Sequence, residues 1–153
     1  MFSLYLTLKF LHVAAAIIWV GGTVSMTIMT LRASRASQPG ALNAAMEHAL
    51  FYGQRVVGPA SIVVLLAGIG MVLSAHMRFM TPWIVWGFAG ILIHILLGVT
   101  VLRTNGQRLA ELSRATNPDR TLLSAALRRQ QTAATVYTLI MLSTVWAMVA
   151  KPA

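Results

Sequence analysis

The chain has 153 residues, of which 58% are hydrophobic and only 10% are charged. This composition is typical of an integral membrane protein and excludes an ordinary soluble domain. Cysteine is absent, which excludes disulfides, thiolate-bound metals and a cysteine nucleophile. The net charge of +9 would suggest nucleic acid as a partner of a soluble protein. Here the basic residues lie mainly between apolar segments, so we interpret them as topology determinants and contacts with anionic lipids, with no nucleic-acid partner.

Four apolar segments each approach the length that crosses a bilayer, which is about 20 residues. They cover approximately residues 2–31, 56–75, 82–102 and 132–150. The segments are continuously apolar and do not alternate, so a β-barrel is excluded and four transmembrane helices are predicted. The predicted fold class is therefore all-α, an integral membrane four-helix bundle that occupies residues 1–153 as a single domain.

Arginines are concentrated in the two long connections between the spans. They are Arg32, Arg35, Arg55, Arg103, Arg108, Arg114, Arg120, Arg128 and Arg129. The parts of the chain outside the spans on the opposite side of the membrane carry Arg78 and Lys151. The positive-inside rule predicts that both long connections are cytoplasmic and both termini extracytoplasmic, in a multi-pass protein of the cell inner membrane. Small residues are frequent in the spans, which is compatible with a homo-oligomer.

A histidine lies deep in each of two spans. His12 is about nine residues, or roughly 14 Å, from the outer end of the first span, and His94 is about twelve residues, or roughly 18 Å, from the outer end of the third. Ionisable groups at such depth normally face a partner, a cofactor or a cavity. Two imidazoles at similar height would suit a haem held between the first and third spans. The alternative is that both histidines are ordinary interhelical hydrogen-bonding residues.

Two neighbours of His12 on the first span are further candidates for the cofactor site. Lys9 lies one turn outward from His12 on a similar helix face. Its ammonium group either extends to the lipid headgroups or pairs with a haem propionate or an anionic substrate. Trp19 lies deeper, and we expect it to pack near a cofactor.

A second cluster of potential ligands follows the second span. His76, Met77 and Met80 lie in the short outer connection. Imidazole and thioether groups suit Cu(I), so an extracytoplasmic copper site is an alternative. Methionine also commonly fills gaps in apolar cores, which leaves a purely structural interpretation open.

The first span resembles a known group of membrane proteins. The run Lys9-Phe10-Leu11-His12, followed by Trp19-Val20-Gly21-Gly22, is similar to the opening of the HemJ-type protoporphyrinogen oxidases and of the CopD-like copper-resistance membrane proteins. The resemblance extends to Gly58-Pro59-Ala60, Pro82-Trp83 and Lys151-Pro152. It implies a bundle of membrane helices that binds haem b, with His12 as a ligand.

The third span departs from the HemJ-type pattern. It reads Trp83-Ile84-Val85-Trp86-Gly87 where the HemJ-type proteins have a histidine and a lysine, and His94 lies about one turn before the position of their later histidine. Most residues associated with the oxidase activity of that family are therefore missing.

Together these features predict a haem b-binding inner-membrane protein with a redox or haem-related role. Two imidazole ligands would favour electron transfer with a membrane redox partner, whereas one would leave a coordination position open for catalysis as an oxidoreductase. The alternatives are an extracytoplasmic copper-handling protein and a cofactor-free accessory membrane subunit.

Overall fold

The computed structural model describes residues 3–36, 40–115 and 119–152, and this part of the chain is helical without strands. The helices are α1 (Leu4–Ser34), α2 (Ala41–Tyr52), α3 (Gly58–Ser74), α4 (Pro82–Leu97), α5 (Arg103–Arg114) and α6 (Arg120–Ala150). A first π-helical turn (Gly53–Val57) joins α2 to α3, and a second (Gly98–Leu102) joins α4 to α5. The chain thus forms four long helical segments, each long and apolar enough to cross a membrane. This confirms the predicted fold class, while the orientation of the termini stays a prediction.

Polar side chains cap two of the long helices at their first turns. The Ser3 hydroxyl accepts a hydrogen bond of 3.3 Å from the Leu6 N–H at the start of α1. Asp119 accepts hydrogen bonds from the N–H groups of Thr121 and Leu122 at the start of α6. The first N–H groups of a helix have no partner within the helix, so these side chains stabilise both helix starts.

The membrane part of the bundle is a ring of four helices. Helix α1 packs along α3, α4 packs along α6, and the α3–α4 and α1–α6 contacts complete the ring. Its core contains Trp19 from α1, Val64 from α3, Ile91 from α4 and Met141 from α6, all buried. Because each helix contributes to one continuous core, side chains of α1 and α4 meet across the centre of the ring.

The outward surfaces of these helices are apolar. Phe10, Ile17, Leu66, Leu96 and Leu139 are all more than half exposed. Exposed apolar surface on this scale is stable only against lipid or another apolar surface. The protein is therefore an integral, multi-pass membrane protein associated with the bilayer.

One end of the bundle, which we call the basic end, consists of α2, α5 and the first half of α6. Here α2 packs on α5, and α5 packs on α6. A second small core of Met46, Leu109 and Ala110 joins them, and Arg114 on α5 forms an ion pair with Glu47 on α2. These contacts stabilise the parts of α5 and α6 that extend beyond the apolar spans. Helix α5 continues to Arg114, and α6 begins at Arg120.

Candidate functional site around two intramembrane histidines

The His94 side chain occupies the centre of the helix ring. It is 1% exposed. Its ring centroid lies 4.6 Å from that of Trp19, with the two planes nearly perpendicular at 89°. On another side, the Tyr137 ring lies over it at a centroid distance of 3.4 Å and an angle of 32°. Aromatic side chains from α1 and α6 therefore enclose the imidazole.

The polar atoms around His94 lack partners. Both ring nitrogens of His94 and the indole nitrogen of its neighbour Trp19 are buried without a hydrogen bond to any residue that the structure describes. A buried polar group without a partner costs about 1–3 kcal/mol. Several at one place indicate a polar ligand, a water or a functional role.

The backbone of α4 changes its hydrogen bonding one turn after His94, where the Arg103 N–H donates to the Gly98 carbonyl five residues back. The second π-helical turn begins at Gly98, whose N–H donates to the His94 carbonyl. A Cβ atom at Gly98 would lie 3.3 Å from the Tyr137 hydroxyl, so glycine lets the tyrosine lie close to the helix. Single π-helical turns occur frequently at functional sites. The turn is thus a second feature of the surroundings of His94.

His12 lies against the backbone of α3. Its Nδ1 is 2.9 Å from the Val64 carbonyl oxygen, and a Cβ at Gly68 would lie 3.4 Å from the ring. A carbonyl oxygen can only accept, so Nδ1 carries the hydrogen and the neutral ring has its lone pair on Nε2. Metal-binding histidines commonly donate their other N–H in this way, which orients the ring. His12 is therefore suited to bind a metal through Nε2.

The two histidines are at different heights in the bundle. Trp19, which contacts His94, follows His12 by seven residues of α1, a rise of about 10 Å or two turns. Both His12 and Trp19 face the same side of α1 because seven residues are close to two full turns. His94 is consequently about two turns deeper than His12, a larger difference than counting residues from the span ends predicts. The structure brings His94 to Trp19 and does not bring it level with His12.

The two other predicted site residues on α1, Lys9 and Trp19, lie near different histidines. Lys9 is exposed, one turn outward from His12. The one ion pair within residues 3–36, 40–115 and 119–152 is between Arg114 and Glu47, so no described carboxylate neutralises Lys9. Lys9 thus lies near His12 along α1, whereas Trp19 packs on His94.

The predicted copper ligands lie where α3 ends. His76 has a positive φ of 51°, and the His76 and Met77 N–H groups donate to the carbonyls of Leu73 and Val72. This pattern closes a helix C-terminus, a position where glycine is usual. Met80 is 81% exposed. The described residues contain no cluster of three or more His, Cys, Asp or Glu that could hold a metal. A copper site with thioether ligands stays a prediction.

Sequence reasoning missed Tyr137. A tyrosine in the middle of an apolar span carries a hydroxyl that needs a polar partner. The fourth span contains such a tyrosine at position 137, so this signal could have identified it. Which residue it meets depends on the register of α6 against α4, and that requires the structure.

Comparison with known proteins identifies one family. A family model described as "Predicted integral membrane protein (DUF2269)" matches residues 6–152. No curated protein and no solved structure matches the chain.

Proposed function

We propose that this chain, which belongs to the DUF2269 family of predicted integral membrane proteins, binds haem b within the membrane through His12 and has a redox or haem-related role. A distant relationship to the HemJ-type and CopD-like proteins, suggested by Lys9, His12 and Trp19, is part of this proposal. The proposal also includes a location in the inner membrane, with the basic end in the cytoplasm.

The observation that carries the proposal is the hydrogen bond from His12 Nδ1 to the Val64 carbonyl. It holds the ring in one orientation and leaves Nε2 without a proton. The same bond makes Nε2 a better donor of electrons to a metal, because the acceptor partly stabilises positive charge on the ring. The His12 imidazole is only partly buried, so the packing of α1 on α3 leaves part of it accessible.

The fit of His94 as a second ligand of the same iron is weaker. Its ring is enclosed by Trp19 and Tyr137, and it lies about two turns below His12. We therefore favour His12 as the residue that would hold the haem iron and keep ligation by both histidines as the alternative that the spectra decide. The unpartnered nitrogens of His94 support a polar role for this residue, about two turns deeper than His12.

Lys9 is the residue proposed to pair with a haem propionate. It lies one turn outward from His12 and has no described carboxylate partner. A cation at this position would orient a carboxylate toward the membrane surface. When bound, haem supplies one-electron chemistry between ferrous and ferric iron.

The test is the visible spectrum of the full chain, expressed with adequate haem and purified in mild detergent. We expect a Soret band in the wild type, in oxidised and reduced form, and its loss in His12→Ala. His48→Ala is the matched control, because it makes the same substitution at an exposed histidine. Absence of haem from wild type would refute the proposal, and copper retained by both variants would favour the copper-handling alternative.

A further inference from the structure

A small cavity lies between α5 and α6 at the basic end. Its volume is about 140 Å³, and it is lined by Asn105, Arg108, Leu122, Ala125, Ala126 and Arg129. The residues from α5 are three apart and so share one helix face. Those from α6 follow a spacing of three and four, which also places them on one face. The cavity is therefore a regular groove between two packed helices.

Three side chains that can donate hydrogen bonds line the cavity: Arg108, Arg129 and Asn105. Arg108 and Arg129 lie at its rim, exposed. Neither belongs to the one ion pair of the described chain, which joins Arg114 to Glu47. Asn105 is 7% exposed, and its side-chain amide nitrogen is buried without a partner within the described ranges. None of the described residues that line the cavity is acidic.

Two arginines and an unpaired amide donor form a favourable environment for a phosphate group. Guanidinium groups bind phosphate oxygens through paired N–H groups, and charge-assisted hydrogen bonds are among the strongest in proteins. The volume is sufficient, since a single water occupies only about 10–15 Å³ by the same measure. A bound phosphate would also give Asn105 the acceptor that it lacks.

We propose that this cavity is a binding site for a phosphate group, held by Arg108, Arg129 and Asn105. Leu122 and Ala125 give it an apolar wall, and it lies where apolar helices reach the end of their spans. These features fit the headgroup of an acidic phospholipid, with its glycerol and first methylenes against α6. A free phosphate ion shares the recognised chemistry without using the apolar wall.

The test titrates the detergent-solubilised full chain with short-chain phosphatidylglycerol, short-chain phosphatidylcholine and inorganic phosphate, following binding calorimetrically. We expect the wild type to prefer phosphatidylglycerol to phosphatidylcholine. The double variant Arg108→Gln/Arg129→Gln should bind it at least about tenfold more weakly, since a hydrogen bond to a charged group contributes this much or more.

A matched control removes the same charge from the same two helices. Arg103 and Arg120 are exposed and do not line the cavity, so Arg103→Gln/Arg120→Gln should leave the affinity within about twofold of wild type. The variant Asn105→Asp gives a second test that leaves both arginines in place. It is nearly isosteric and adds a carboxylate, which should repel an anion and abolish binding.

The results of these titrations distinguish a lipid from a free phosphate ion, and a specific site from general attraction by positive charge. Competition by millimolar inorganic phosphate would support the site and assign it to phosphate itself, whereas binding of phosphatidylglycerol alone would support it and assign it to lipid. Equal loss in the two double variants would overturn the proposal, because it would indicate general attraction by the basic end. Unchanged binding in Asn105→Asp would overturn it as well.

Discussion

The Tyr137 ring lies over the His94 imidazole, with their centroids 3.4 Å apart and their planes inclined by 32°. This contact joins α6 to α4 at the centre of the membrane core, and Trp19 completes it from α1. The three rings therefore pack α1, α4 and α6 together at one level of the bundle. The contact between Trp19 and His94 is what places His94 about two turns deeper than His12.

The first prediction concerns the Tyr137 ring. Removing it with Tyr137→Ala should lower the free energy of unfolding by about 3–5 kcal/mol, since truncating a large buried aromatic side chain leaves a cavity. Tyr137→Phe keeps the ring and removes only the hydroxyl, so its effect should be much smaller. Thermal unfolding in detergent, followed by circular dichroism, checks this. Equal losses of stability in Tyr137→Ala and Tyr137→Phe would show that the hydroxyl, and not the ring, stabilises the protein.

The second prediction compares two glycines on α4. A Cβ at Gly90 would come within 3.1 Å of the Thr144 Cβ atom and closer still to its hydroxyl. At Gly87 the added atom meets the flexible end of the Met148 side chain. Gly90→Ala should therefore destabilise the protein by about 1–3 kcal/mol, because a β-branched neighbour cannot move aside. Gly87→Ala should cost distinctly less in the same unfolding experiment, and the reverse order would contradict the packing of α4 on α6.

The third prediction concerns His94. Its two nitrogens are buried without partners in the described chain, and such groups are unfavourable. His94→Leu should thus leave the melting temperature of the haem-free protein unchanged or higher. It should also leave the Soret band of the haem-loaded protein in place. Loss of the band in this variant would favour ligation of the iron by both His12 and His94.

The fourth prediction concerns orientation in the membrane. The chain has no cysteine, so single cysteines report on topology without a background. Ala75→Cys lies at the end of α3 and Ser124→Cys near the start of α6, and both residues are exposed. A membrane-impermeant maleimide should label Ala75→Cys in intact cells and Ser124→Cys only after permeabilisation. The opposite pattern would contradict the positive-inside assignment.

The spans could be predicted from the sequence because apolar length alone determines which segments cross a bilayer. Helical propensity in the connection between the third and fourth spans also predicts that both continue as helices beyond the membrane. The end points of these helices do not follow from the sequence, since polarity marks the end of a membrane crossing and not the end of a helix. At the basic end, α6 already begins at Arg120 and α5 continues to Arg114. Their extension depends on packing around Leu109 and on the ion pair with Glu47, which are contacts between distant parts of the chain.

The candidate site was predictable only in part. His12, His94 and Trp19 stand out as polar or aromatic residues deep in apolar spans. Their relative heights do not follow from the sequence, because counting from the span ends assumes that all helices begin level. Trp19 is fifteen residues into α1 and its neighbour His94 twelve into α4, so α1 starts about one turn further out.

The most direct test of haem ligation by His12 is chemical rescue. In His12→Gly, purified with haem present, added imidazole should restore the Soret band and the reduced-state spectrum, since a free imidazole can occupy the position of the missing ring. The same treatment of His48→Gly should change nothing, because that variant should retain haem without imidazole. If His12→Gly binds haem as wild type does before imidazole is added, then His12 is not the ligand and the proposed function is wrong at its central point.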